Sequence, residues 1–179
     1  MDTADIEGLR LEDPAEVVIR AVNADDAPML QEFVRGLSVR SRRYRFLSAL
    51  VELSASRLDR LVRPDRIGLA LVALTGRSKD AAIVGEARYV VDPVADCDAE
   101  FAIAIADEFQ RKGLGTRLMK MIVAHASKTG VRRLFGEILG ENQAMLRFIR
   151  QLGFGVRPNA ADHRTMIASI SIGERVTPH

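Results

Sequence analysis

The sequence predicts an α/β (α+β) chain forming a single domain, with a mixed, mostly antiparallel sheet of six to seven strands and helices packed on its faces. Three observations predict it. The chain has 179 residues, 47% of them hydrophobic, which suits one domain with a sizeable core. Helical periods and short β-branched runs follow one another without the regular alternation of a doubly wound sheet. No internal repeat, low-complexity tract or interdomain linker interrupts residues 16–173, while residues 1–15 and 174–179 read as flexible tails.

The elements follow in order. Val17, Val18 and Ile19 form the first strand. Asn23 to Pro28 supplies a capping side chain, first-turn acids and an early proline, so it opens a helix carrying Met29, Leu30, Phe33, Val34 and Leu37 on one face. Ser38 is placed to cap an arginine-rich helix over 39–50. A third helical pattern, 54–62, stops ahead of Pro64, because the residue before a proline is pushed out of the helical region. Ile67 to Thr75, the polar turn Gly76 to Asp80 and the run Ala81 to Val91 read as an antiparallel hairpin ending at Asp92-Pro93. Glu100 to Ala106 is a further strand. A basic, glycine-bearing loop joins it to a helix over 113–129, with Leu114, Leu118, Met121, Ile122 and His125 near one face. Gly130 is placed to end that helix and Val131 to Leu139 is the next strand. Asn142 opens a shorter helix carrying Met145, Leu146, Phe148, Ile149 and Leu152. Phe154 to Arg157 and Arg164 to Ile172 are the last strands.

Bulk properties narrow the function. The 26 basic and 24 acidic residues leave a net charge of +2, which gives nucleic-acid binding no support. The one cysteine, Cys97, excludes an intrachain disulfide and a thiolate metal cluster, and suits a reducing compartment. His125, His163 and His179 are scattered without zinc spacing, so no metal is expected. The acidic start, Met1 to Glu16, lacks the basic and apolar regions of a secretory signal, and no apolar run reaches the roughly 18 residues of a membrane span. A cytoplasmic protein without membrane association is expected.

The most informative segment is Gln110-Arg-Lys-Gly-Leu-Gly-Thr116, between an apolar strand and an amphipathic helix. Gly113 and Gly115 remove side chains where a ligand must approach the backbone, and the helix start offers unpaired N–H groups and partial positive charge. Arg111 and Lys112 add charge, and the Thr116 hydroxyl adds a donor. Such a site suits a phosphate or pyrophosphate. The competing reading is a glycine-rich turn that merely packs a helix on its strand. The segment lacks the Gly-Lys-Ser/Thr ending of a P-loop and the three-glycine spacing of a dinucleotide fingerprint.

Gln110 to Gly115 resembles the acetyl-CoA signature of the GNAT superfamily, Gln/Arg-x-x-Gly-x-Gly/Ala after the fourth strand. Asn142 to Phe154, an Asn-led helix ending in Leu-Gly-Phe, resembles the second block of that superfamily, and Gly85-Glu-Ala-Arg-Tyr89 resembles the strand before the signature. The resemblance spans residues 17–172. Within the superfamily, Leu37 to Phe46 and Ala99-Glu-Phe-Ala resemble the acetyltransferase domain of Pat-type bacterial protein lysine acetyltransferases. Neither the cyclic-nucleotide-binding domain nor the acyl-CoA-synthetase-like domain of such relatives is expected ahead of it.

The resemblance implies a sheet splayed between its fourth and fifth strands, with the backbone of Ile103, Ala104 and Ile105 holding the pantetheine arm of acetyl-CoA. Gln110 and the amides of Arg111, Lys112, Gly113, Leu114, Gly115 and Thr116 would hold the pyrophosphate, and Asn142 would contact the cofactor beyond the splay. Transfer needs a neutral amine, hence a base, and Glu100 occupies the position of the Pat-type catalytic glutamate, with Phe101 as an apolar neighbour to raise its pKa. Asp98 and Glu86 are substitutes and Glu137 a weaker one. Ile149 stands where many members carry a tyrosine acid, and the two tyrosines, Tyr44 and Tyr89, lie outside that helix. The arginines of Val39 to Arg45 border the acceptor site in the family; the plainer reading is a solvated helix face. The expected function is acetyl transfer from acetyl-CoA to a protein lysine or a small-molecule amine in a ternary complex. Two alternatives stand: an acetyl-CoA sensor without transfer, which the missing tyrosine favours, and a basic-surface binding protein. Exposed strand edges are compatible with a homodimer.

Overall fold

The structure, a computed structural model, describes residues 9–10, 16–63, 68–76, 81–92, 94–95 and 97–173. The strands are Leu9–Arg10 (β1), Glu16–Ala21 (β2), Gly68–Thr75 (β3), Ala82–Val91 (β4), Asp98–Ile105 (β5), Arg133–Leu139 (β6), Gly155–Pro158 (β7) and Thr165–Ser171 (β8). They form one sheet in the order β1-β2-β3-β4-β5-β6-β8-β7. Every neighbouring pair is antiparallel except β5 and β6, which are parallel. The helices are Ala27–Gly36 (α1), Val39–Phe46 (α2), Ala55–Val62 (α3), Leu114–Ala126 (α4) and Gln143–Gln151 (α5).

Alternation along the strands divides the core. Leu71 and Ala73 of β3 join Val17, Ile19, Ala87, Tyr89, Leu114, Leu118, Ile122 and Ile149 in the cluster beneath α4 and α5. Val72 and Leu74 face the other way and pack with Leu30, Phe33, Val34 and Leu37 at α1, and with Val62 of α3. Of the apolar face expected for α1, Leu30, Phe33, Val34 and Leu37 are buried and Met29 is partly so. On α4, Met119 and Ala126 are buried along with Leu114, Leu118 and Ile122. At the start of α1, buried Asp26 accepts two hydrogen bonds from Arg20, both at 2.6 Å, fixing the helix to the end of β2.

The seven expected strands and five expected helices are present with shifted ends. The arginine-rich helix stops at Phe46 rather than residue 50, because Leu47 turns left-handed with φ 54°. β5 begins at Asp98, two residues before the predicted start. Leu9–Arg10 adds an edge strand inside the segment read as a tail, pairing with Glu16 and Val17. The remaining tail residues, Pro64, the turn residues 77–80 and Pro93 lie outside the described residues.

The parallel pair shapes the functional region. β5 and β6 are in register only at Asp98↔Arg133, Ala99↔Leu134 and Glu100↔Phe135. Beyond that point β5 stays with β4 as far as Ile105↔Gly85, and β6 stays with β8 as far as Leu139↔Thr165. The sheet therefore opens between them, as the expected splay required; counting the added edge strand, it falls between the fifth and sixth strands. On the α4 and α5 side, the Phe101 ring sits over Gly136 and meets Phe154 edge-on at 5.3 Å. A Cβ on Gly136 would stand 2.7 Å from two ring carbons. Because that ring is held by Phe154, it has little room to give way. Gly136→Ala is expected to destabilise the fold by about 1–3 kcal/mol through overpacking, read as a lowered thermal midpoint in circular dichroism.

Candidate active site

The opening between β5 and β6 forms a cleft of about 820 Å³. Its walls include residues 100–105 of β5, parts of the loop ahead of α4, Glu137 and Ile138 of β6, the first turn of α5, and Arg40, Ser41, Tyr44, Arg45 and Leu47 from α2 and its end.

The loop reaches the cleft through a 3-10 turn, Asp107–Phe109, followed by two left-handed residues, Arg111 with φ 61° and Gly113 with φ 85°. That conformation costs a non-glycine residue about 1–2 kcal/mol, and glycine almost nothing. The first bond of α4 runs from the Arg117 N–H to the Gly113 carbonyl at 3.1 Å, so the amides ahead of it have no intrahelical acceptor. A Cβ on Gly115 would lie 3.5 Å from Phe148, 3.8 Å from Ile105 and 3.9 Å from Ile103, all of them cleft residues, so its absence keeps the floor open. Left-handed turns, open amides and a helix start suit a pyrophosphate group.

The expected cofactor residues divide by what their side chains do. Ile103, Ala104, Ile105, Gln110, Arg111, Gly113, Gly115, Thr116 and Asn142 all line the cleft. The Leu114 side chain is wholly buried in the core, which leaves its backbone amide as the group that can serve a ligand. Lys112 is outside the lining, its ammonium 5.5 Å from the Phe109 ring centre. The Gln110 amide donates to the Ile105 carbonyl at 3.1 Å, fixing the loop to the end of β5. Asn142 Oδ1 accepts from the Met145 N–H at 3.1 Å and so caps α5.

α2 has no fully buried residue and is placed by polar contacts. Asp107 accepts from the Ser38 N–H at 3.0 Å, the Ser38 hydroxyl at 2.9 Å and the Ser41 hydroxyl at 2.8 Å. Partial burial pushes the Asp107 carboxyl up, but these donors outweigh it and hold the group below the ordinary carboxylate range. Arg42 donates to the carbonyls of Arg35, Leu37 and Leu50, and Arg43 pairs with Glu141 at 2.9 Å. Arg45 grips Glu86 at 3.1 and 3.0 Å. The arginine run is thus neither a plain solvated face nor a single binding patch. Arg42 and Arg45 hold the helix in place, and Arg40 and Arg45 reach the cleft.

Of the carboxylates considered as bases, Glu86 is 3% exposed and sits between Arg45 and Arg88. Burial pushes its carboxyl up, yet the two guanidiniums hold it below the ordinary value. Asp98 is bound by Arg133, Nε at 3.0 Å. Neither residue lines the cleft. Glu100 does, and it accepts no hydrogen bond from another described residue. Its side chain is exposed to the open cleft, and its carboxyl is raised above the ordinary value by partial desolvation between the cleft walls, then by the Glu137 and Asp92 carboxylates, against the opposing pull of Arg45. Phe101 is not the cause: successive strand side chains face opposite ways, and its ring lies on the α4 side against Phe154. Glu137 also lines the cleft and accepts from Thr165 Oγ1 at 2.6 Å and Asn159 Nδ2 at 2.9 Å.

Tyr44 lines the cleft from α2, outside the Asn-led helix, and nothing in its local sequence marks it for that place. Ile149, in the position of that tyrosine, is wholly buried. Tyr89 is buried on the far side, its hydroxyl 2.7 Å from His125 Nδ1 and 3.0 Å from Thr129 Oγ1, so His125 is a packing residue. Among the described residues, no group of three His, Cys, Asp or Glu is placed to hold a metal, and no helix is long and apolar enough to cross a membrane.

The model of the acetyltransferase (GNAT) family matches residues 34–154. The chain is 30% identical over 166 residues to the acetyltransferase PA5475 of Pseudomonas aeruginosa, covering 90% of this chain and 87% of that protein. Its structure is similar to the GNAT domain of S. lividans PAT, with a TM-score of 0.82, 23% identity, and coverage of 93% of this chain and 96% of that one. It is also similar to a GNAT superfamily phosphinothricin acetyltransferase from Sinorhizobium meliloti solved in complex with AcCoA: TM-score 0.72, 18% identity, coverage 91% and 92%.

The Arg45–Glu86–Arg88 cluster yields a test of how α2 is held. Glu86→Gln leaves two buried guanidiniums without their counter-ion and is expected to cost about 3–5 kcal/mol in urea denaturation. Because the Glu86 carboxyl lies below its unfolded value, its contribution is complete above the unfolded pKa and is lost as pH falls through the folded one. The gap between native and variant should therefore narrow in acid.

Proposed function

The chain belongs to the acetyltransferase (GNAT) family, and on that premise we propose that it transfers the acetyl group of acetyl-CoA to a primary amine in a ternary complex, with Glu100 as the general base. The observation that carries this reading is the pairing, in one cleft, of an anion-binding helix start with a carboxylate that has no hydrogen-bond partner among the described residues and a raised pKa.

Beyond Glu100 the edge of β5 that faces β6 has no strand partner, so the backbone groups of Ile103 and the Ile105 N–H stand open along the cleft, while the Ile105 carbonyl is taken by Gln110 and Ala104 turns its backbone to β4. Buried backbone groups require partners, and the amide-bearing pantetheine arm supplies them. The amides of Arg111 to Thr116 hold the pyrophosphate. Asn142 spends its oxygen on the α5 cap and keeps its NH₂ for the ligand. Acetyl-CoA, when bound, supplies an acetyl thioester whose C–S bond breaks as the new C–N bond forms. Glu100 takes one proton from the arriving ammonium, directly or through water, which frees the nitrogen lone pair. The second nitrogen proton leaves to solvent and the thiolate is reprotonated from solvent, since Ile149 has no proton to give.

The resemblance of Leu37 to Phe46 and of Ala99 to Ala102 to Pat-type enzymes favours a protein lysine as acceptor, with a small-molecule amine as the second reading. A sensor without transfer is less consistent with Glu100, since cofactor binding alone has no use for a carboxylate kept free in the cleft.

Two measurements test the proposal. Isothermal titration with acetyl-CoA is expected to show binding by the native chain and none by a Gly113→Asp, Gly115→Asp variant, where a new charge opposes phosphate and residue 113 must hold a left-handed φ. Failure of the folded native chain to bind would remove the proposal. Glu100→Gln is expected to lower kcat/KM about 10²- to 10⁴-fold while acetyl-CoA affinity stays near native. In the native enzyme kcat/KM should rise with pH through a value above the ordinary glutamate pKa as Glu100 ionises, and this rise should be absent from the variant.

A further inference from the structure

Two cleft residues have no part in the reading above. The first is Glu137. The parallel register sets Glu100 beside Phe135, and side chains two apart on a strand share a face, so Glu137 lies on the same side of the sheet as Glu100, just past the point where the strands part. Its Oε1 is held by Thr165, itself 2% exposed, and by Asn159, whereas Oε2 accepts from no described residue. The two guanidiniums that act on these carboxylates, Arg45 on Glu100 and Arg164 on Glu137, are each paired elsewhere. Arg45 is committed to Glu86, and Arg164 is committed to Asp162 at 2.8 Å. The remaining charge near Glu100 is the Asp92 carboxylate.

The second is Leu47. It ends α2 with φ 54°, a conformation that glycine adopts without strain, yet its side chain belongs to neither apolar cluster and lines the cleft instead. A strained residue whose side chain the core does not use points to a ligand contact. The charges of the cleft are also divided. Arg111, Arg147 and the open α4 amides lie toward the anion-binding loop and α5, Glu100 and Glu137 stand on the two parting strands, and Arg40 and Arg45 reach in from α2.

Resting on the acetyl-transfer reading, we infer that Glu137 is the anion that holds the acceptor's ammonium in the cleft and that Leu47 is the wall along its methylenes. An alkylamine is protonated at neutral pH, with a pKa of about 10.4 for a lysine-like amine, so it arrives as a cation and must be held before it is deprotonated. Glu137, fixed by two donors, holds the charge; Glu100, whose oxygens are free, takes the proton. Glu137 is a specificity residue in this scheme and Glu100 remains the base.

The test uses the full chain, acetyl-CoA and three acceptors: n-pentylamine, a peptide with one internal lysine, and aniline, which is uncharged at neutral pH. The native enzyme should use an alkylammonium acceptor in preference to aniline. Acetylation of the peptide alone identifies a lysine as the source, that of pentylamine alone a small amine, and either supports the inference. Glu137→Gln keeps an oxygen for Thr165 and Asn159, so the fold should stand. It is expected to raise KM for the alkyl acceptor about tenfold with kcat little changed. It should also move the acid limb of kcat/KM to lower pH, because a negative charge opposing the ionisation of Glu100 is gone. Leu47→Gly should raise the same KM while the thermal midpoint holds or rises. An unchanged KM in Glu137→Gln, an unmoved acid limb, or a native preference for aniline overturns the inference. A native chain that binds acetyl-CoA but acetylates neither alkyl probe also overturns it and leaves the cofactor site standing; one that does not bind acetyl-CoA rejects both readings.

Discussion

Three register pairs join β5 to β6, and the place where that pairing stops governs the rest of the molecule. Each strand is held by its other neighbour over its full length, β5 by β4 and β6 by β8, so the opening cannot close by pairing further. A parallel pair needs a crossover, which here is α4, and the loop that begins the crossover leaves from the carboxyl end of β5. The anion-binding turn and the splayed edge therefore meet at the same end of the sheet by topology, where open α/β sheets generally place their ligands. The two faces of the opening differ in kind. Phe101, Gly136 and Phe154 fill one side with apolar contacts, and Glu100 and Glu137 give the other side charge.

The charged side depends on a helix that packs on the α1 cluster through the partly buried Phe46 and is otherwise held by polar contacts. α2 buries no residue fully, and its position comes from Asp107 at one end and Glu86 at the other. Buried ion clusters such as Arg45–Glu86–Arg88 are weak evidence for stability, because desolvating three charges offsets most of their attraction. Their clearer effect here is placement. Glu86 fixes Arg45 in the cleft wall, where its charge works against the rise that partial desolvation, Glu137 and Asp92 impose on Glu100. The rise survives that opposition, and the base stays above the ordinary carboxylate range.

Much of this was legible in the sequence because it is local. Helix faces, caps such as Ser38 and Asn142, and the glycine loop are written within a few residues of one another, and each stands in the structure. What the sequence left unread joins distant parts of the chain. Arg45 and Glu86 are 41 positions apart and Ser38 and Asp107 are 69 apart, so nothing in the arginine run distinguishes a helix anchor from a solvated face. Leu47 gave no sign of a left-handed turn, since leucine ordinarily continues a helix. The assignment of Phe101 as the group that raises the Glu100 pKa contradicted the strand's own alternation, which sends neighbouring side chains to opposite faces. Leu9–Arg10 was missed because two residues carry no period; they are a strand only through pairing with β2.

The two cleft carboxylates show why position on neighbouring strands assigns different roles to like groups. Glu137 is two residues further into the wedge than the last paired residue, Phe135, and its Oε1 is spent on Thr165 and Asn159, donors that approach from β8 and the loop before it. That fixes the carboxylate's direction and suits it to holding a charge. Glu100 lies at the last paired position, with its backbone fixed by register on both sides and its carboxylate unbonded by any described residue. A base needs this second arrangement, because it must accept a proton without first giving up a hydrogen bond. The division follows from where the sheet parts: the paired residue gains a rigid backbone and a free side chain, and the residue beyond it recruits side-chain donors to stay in place.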